Sequence, residues 1–115
     1  MRTLEKAKAI KTSHKQLLLN LKAAVQKLVP SADLFLYGSR ARGTAEPESD
    51  FDILILTDEA LSTEEEDRIR DAIYELELSL EVVISTVFYA KVEWATPVAR
   101  AMPFHQRVEK ESIRL

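Results

Sequence analysis

The stretch that most restricts the fold is Leu34 to Leu56, LFLYGSRARGTAEPESDFDILIL. Two apolar runs of strand character, Leu34 to Tyr37 and Phe51 to Leu56, enclose a polar loop that holds both glycines of the chain, Arg40, Arg42 and the pair Asp50 and Asp52. Side chains alternate along a strand, so Asp50 and Asp52 point one way and Phe51, Ile53 and Ile55 the other. The two aspartate Cα atoms then lie roughly 6.6 Å apart. Two carboxylates this close repel each other unless a cation sits between them. Mg²⁺ suits the gap, being a hard ion that takes one or two carboxylates and fills its other positions with water and substrate phosphate.

The preceding loop is suited to phosphates. Gly38 directly follows a predicted strand and permits a positive φ or a close approach, and Ser39 adds a hydroxyl beside its own N–H. Arg40 and Arg42 carry the planar fork that matches phosphate oxygens, and each reads either as electrostatic assistance or as surface charge. The loop has no Gly-Lys-Ser/Thr and no G-x-G-x-x-G, so kinase-type P-loop and dinucleotide-binding readings fall away.

Gly38-Ser39, ten residues, then Asp50-x-Asp52, with GSRARG opening the loop, resembles the signature of the DNA polymerase β nucleotidyltransferase superfamily. The likeness is greatest to its minimal stand-alone domains. The resemblance implies a polymerase-β-like α/β (α+β) fold and NMP transfer from an NTP such as ATP to a hydroxyl, with two Mg²⁺ ions. It also implies that Gly38 and Ser39 bind the β- and γ-phosphates. In that superfamily a third carboxylate on a neighbouring strand completes the metal triad, and Glu81 is the residue matched to it, with Glu in place of the usual Asp. On strand alternation Glu81 points with Val83 and Ser85, near the start of an apolar, β-branched run from Leu80 to Val87. A buried carboxylate there needs a cation or hydrogen bonds; an exposed edge is the plainer account.

At 115 residues the chain reads as one domain, 1–115, with no room for a separate acceptor-binding domain. The acceptor must then be held by a partner or a second subunit. With 19 acidic against 16 basic residues, net −3, a dedicated nucleic-acid binder is not expected. The absence of cysteine excludes disulfides and thiolate metal sites. No apolar run reaches a membrane-spanning length, and the N-terminus lacks a secretory apolar core, so a cytoplasmic protein is the expectation.

Thr3 to Val29 reads as helix, continuous or broken near Thr12, with Leu17, Leu21, Ala24, Val25 and Leu28 on one face. Its lysines read as a solvated face. Ser62-Thr63-Glu64-Glu65 reads as a capping box opening a helix to about Leu78, with Ile69, Ala72, Ile73 and Leu76 inward. Phe88 to Trp94 reads as short helix or loop, Tyr89 and Trp94 as core or interface aromatics, and Pro97 to Arg100 as helix, with a break at Pro103. The tail, Phe104 to Leu115, is assigned to packing, and His14 and His105 read as surface or packing residues rather than general bases. The expected architecture is a small mixed sheet: an antiparallel pair joined by the Gly38 loop, a helical crossover to a third strand, helices on one face and the carboxylates on the open one. An exposed sheet edge leaves homodimerisation open.

Minimal nucleotidyltransferases of the resembled kind often act as antitoxins that move AMP onto a tyrosine of a small HEPN-type toxin, and the brevity of this chain suits such a partner. The alternatives are a non-catalytic binding module that neutralises a partner by complex formation, and an aminoglycoside-type small-molecule nucleotidyltransferase.

Overall fold

The computed structural model describes residues 2–8 and 10–115. Five strands form one mixed sheet: β1 (Arg2–Thr3), β2 (Asp33–Tyr37), β3 (Phe51–Thr57), β4 (Ile84–Ala90) and β5 (Ile113–Arg114), in the order β1-β5-β2-β3-β4. β2 and β3 pair antiparallel, with Tyr37 opposite Asp52 and Leu36 opposite Ile53. β4 runs parallel to β3 on the far side, as the helical crossover requires, with Ile84 opposite Phe51 and Ser85 opposite Asp52. β5 lies antiparallel to β2 and parallel to β1.

The long helices α1 (Thr12–Leu28) and α3 (Thr63–Leu80) bury their apolar stripes on one face. Leu17, Leu18, Leu21 and Val25 from α1 and Ile69 and Ile73 from α3 meet Leu34, Leu36, Phe51, Ile53 and Ile55 there. Among the described residues before Thr12 the one helical turn is the 3-10 turn at Leu4–Lys6, so the break near Thr12 is the alternative that holds. The capping box at α3 forms in full: Ser62 Oγ accepts the Glu65 N–H at 3.1 Å, and Glu65 Oε1 accepts the Ser62 N–H at 3.1 Å. Replacing Ser62 by Ala lowers stability by about 1 kcal/mol, a loss that urea unfolding of the two proteins measures directly.

The other face is not bare, as the expectation of helices on one side had it. After a short helix α2 (Ser39–Arg42) in the β2–β3 loop and three C-terminal ones, α4 (Lys91–Trp94), α5 (Pro97–Ala101) and α6 (Pro103–Glu111), the chain places Trp94, Val108 and Phe104 against Phe35, Leu54 and Leu56. Two local readings change with it. Pro103 opens α6 rather than merely ending a segment, since its missing N–H is not needed in a first turn. The tail is a strand of the sheet as well as packing.

Polar ties hold the far end of the sheet. Lys91 Nζ reaches Asp58 at 2.9 Å and Asp33 at 3.2 Å, and Arg114 reaches the other Asp33 oxygen at 2.9 Å. His105 is buried, stacked on Trp94 at 4.1 Å, with Nε2 donating to the Trp94 carbonyl at 3.0 Å, which bears out its packing role. No helix among the described residues is long and apolar enough to cross a membrane.

Candidate active site

The β2–β3 connection is a compact loop built by its glycines. Gly38 ends β2 with φ 76° and ψ −159°, a backbone state open essentially to glycine alone, and its carbonyl then accepts the N–H groups of Ala41 and Arg42 in the turn of α2. Gly43, at φ 78°, closes that turn in the left-handed region, with Thr44 N–H returning to the Ser39 carbonyl at 3.0 Å. Gly38 is also a matter of space. A Cβ on it would collide with Asp52 Oδ2, so the aspartate carboxylate lies directly against the bend.

Asp50 and Asp52 share the face of Leu54 and Leu56, at the end of β3 next to Gly38 and Ser39, as the alternation predicts. Asp52 has its pKa raised from the ordinary value, first by burial and then by the Asp50 charge, with Glu111 adding to the rise and Arg42 opposing it. Tyr37, opposite Asp52 across the strand pair, is raised too, by burial and by the Asp52 charge, against a smaller lowering by Arg107. Its ring meets Phe104 edge-on at 5.2 Å. Uncompensated negative charge is thus focused where the two aspartates meet the bend.

The two arginines part company. Arg40 donates to the Ser49 carbonyl from Nε at 3.2 Å and Nη2 at 2.8 Å, and to the Pro47 carbonyl at 3.1 Å. Its guanidinium lies 4.5 Å from the centre of the Phe51 ring, on the helix-covered face away from the aspartates. Arg40 thus braces the loop that delivers Asp50. A cavity of about 460 Å³ beside it, lined by Lys11, His14, Arg40 and Phe51, opens on that same side. His14 rests edge-on against Phe51 at 5.2 Å, its pKa lowered by burial, Arg40 and Lys11.

Arg42 stays on the aspartate side. Its Nη1 bonds Glu111 Oε2 at 2.8 Å, and it remains half exposed. Glu111 is mostly buried, its Oε1 has no partner among the described residues, and its charge adds to the rise at Asp52. Arg2 fastens the same region, donating to the Ala41 carbonyl at 2.8 Å and the Glu111 carbonyl at 2.9 Å.

Glu81 does not join the site. It is the residue that terminates α3, left-handed at φ 54° and exposed, and the strand starts three residues later at Ile84. The β-branched run read as a strand from Leu80, but α3 carries Leu80 as helix, and Glu77 accepts the Ile84 N–H at 2.9 Å where the strand opens. Among the described residues no three His, Asp or Glu side chains gather as metal ligands. What β4 offers is Ser85, whose Oγ donates to Asp50 Oδ2 at 3.2 Å. Ser85, Tyr37 and Glu111 were missed in the sequence; only Ser85, two residues into the strand that parallels β3, left a signal, since the register alone would set it beside Asp52.

Comparisons with known proteins agree with this geometry. The probable protein adenylyltransferase MntA of Haemophilus influenzae (strain ATCC 51907 / DSM 11121 / KW20 / Rd) is 33% identical over 76 residues, 66% of this chain and 60% of that protein. The chain thus spans under two thirds of that relative's length. The crystal structure of a toxin-antitoxin with AMP-PNP matches with a TM-score of 0.59 at 20% identity, over 84% of this chain and 69% of that one. A mutant of the toxin-antitoxin MntA-HpeT matches at 0.57 and 20% identity, over 85% and 70%. At that identity the two structures speak for the fold. The family model described as nucleotidyltransferase domain matches residues 18–115, from within α1 to the last strand and across the whole Gly38–Asp52 site, and the chain belongs to that family.

Proposed function

We propose that the chain transfers a nucleoside monophosphate, AMP from ATP, to a hydroxyl of a protein partner, and that the partner is a HEPN-type toxin modified on a tyrosine. The observation that carries the reading is Asp52 pressed against Gly38, with the Asp50 charge beside it. Gly38 brings the backbone close enough for phosphate oxygens to reach the first N–H groups of α2, and Ser39 adds its hydroxyl. Arg42, half exposed and on the aspartate side, is placed to attract the triphosphate, while Glu111 limits its swing. The adenylyltransferase relative and the AMP-PNP-bound structural neighbour support ATP as donor.

The donor set at Asp50 and Asp52 fits one Mg²⁺: two carboxylates on one face, one of them raised by its neighbour's charge, in a cradle that a Cβ at Gly38 would fill. When bound, the ion neutralises the charge that builds on the departing pyrophosphate. Asp50 and Asp52 would hold it, and Ser85 donates to Asp50.

The lack of a third carboxylate favours one other reading, an antitoxin that works by complex formation without turnover. Incubating the chain with ATP labelled in the α-phosphate, Mg²⁺ and the product of the neighbouring gene separates the two. Label on a tyrosine of the partner is the expected result. A tight complex that forms equally well without nucleotide and leaves ATP intact overturns the enzymatic reading.

A further inference from the structure

The strand beside the aspartates supplies a hydroxyl where a two-ion site would need an acid. Parallel register sets Ser85 directly across from Asp52, on the same face, and Ser85 Oγ donates to Asp50 Oδ2 at 3.2 Å. Among the described residues no third acid gathers with the two aspartates as a metal ligand, although the Glu111 charge reaches Asp52. Glu81 stands exposed at the end of α3, and Glu111 gives Oε2 to Arg42. Two divalent ions held 3.5–4 Å apart, as is usual of roughly this class of site, share bridging carboxylates and draw a further acid from a neighbouring element. A neutral hydroxyl already hydrogen-bonded to Asp50 brings no charge to hold the second ion.

We infer that this chain binds a single divalent cation with its nucleotide, on Asp50 and Asp52, and that Ser85 is a positioning residue which fixes the Asp50 carboxylate for that ion. The inference rests on the nucleotide-binding reading above. It deepens that reading by giving the metal count and by naming the β4 residue that sets it.

The test counts Mn²⁺ bound to the full chain by electron paramagnetic resonance. The nucleotide is an ATP analogue whose α,β-methylene bridge cannot release pyrophosphate. One Mn²⁺ per chain–nucleotide complex is expected. Ser85→Ala weakens that ion about tenfold or more and leaves the count at one, the size of effect usual when a ligand loses its supporting hydrogen bond. Ser85→Asp, confirmed as folded by circular dichroism, raises the count to two. Glu81→Gln changes neither count nor affinity. Two ions in the unaltered chain overturn the inference while leaving the proposed function standing, and that measurement needs no variant to fold. Unchanged Mn²⁺ affinity in Ser85→Ala, or a folded Ser85→Asp protein that still holds one ion, also overturns it. A chain that binds neither the analogue nor Mn²⁺ removes the proposed function and the inference together.

Discussion

Asp52→Ala abolishes nucleotide transfer and leaves a folded, somewhat more stable protein. On the proposed reading Asp52 would hold the ion at the departing pyrophosphate, a role worth several kcal/mol of barrier, so the rate should fall by about 10³-fold or more. The gain in stability follows from the raised pKa of Asp52, which burial and the Asp50 charge impose. A carboxyl whose folded pKa exceeds its unfolded value binds its proton more tightly when native. Stability therefore falls as pH rises through the window that opens near the ordinary aspartate value of 3.8 and closes at the raised folded one. Above that window the destabilisation is complete. Thermal melts in chelator from pH 3 to 8 should show this downward contribution in the native sequence and lose it in Asp52→Asn. Added Mg²⁺ should raise the melting temperature of the native protein at neutral pH and leave Asp52→Asn nearly unmoved. A variant that keeps full transfer would remove Asp52 from the chemistry.

Gly38→Ala is the second large effect, and it strikes fold and activity together. The φ of 76° with ψ −159° costs an L-residue about 1–3 kcal/mol in backbone strain. The new Cβ also collides with Asp52 Oδ2, so the aspartate must turn away from the bend. Urea unfolding should show a loss of about 2–3 kcal/mol, and transfer should fall as far as in Asp52→Ala. Combining the two substitutions separates strain from collision. With the Asp52 carboxylate gone the collision is relieved, so the stability lost through Gly38→Ala shrinks by an interaction energy of about 0.5–3 kcal/mol. Strict additivity would mean that the two residues do not press on each other.

The core of the fold was legible because its signals are local. Ser62 and Glu65 announce α3 three residues apart, and Phe51 to Leu56 is an apolar run broken only by Asp52, so the antiparallel β2–β3 pair and the crossover to a parallel strand follow. Gly38, Ser39, Asp50 and Asp52 were equally open, since chemistry and spacing coincide in one stretch. Glu81 misled because the β-branched run read as a strand from Leu80, whereas the helix capped at Ser62 carries on to Leu80 and the strand opens only at Ile84. The two-residue strands β1 and β5 have no periodicity at all; only their pairing creates them. Arg40 and Arg42 are two residues apart and chemically alike. What divides them is the turn of α2, which sends one guanidinium to Phe51 and the other to Glu111, a distinction that needs the third dimension.

The position of β5 between β1 and β2 has a consequence for the order in which the molecule can be completed. Arg2 reaches the Ala41 and Glu111 carbonyls, and Glu111 restrains Arg42, so the clamp around the phosphate bend joins residues more than a hundred positions apart. The hairpin forms from neighbouring stretches of chain, whereas β5 must find β1 and β2 across most of the described sequence. Contacts of such long sequence separation close late. The aspartates and the glycine bend, which belong to the hairpin, would thus take their places before the restraint on Arg42 forms.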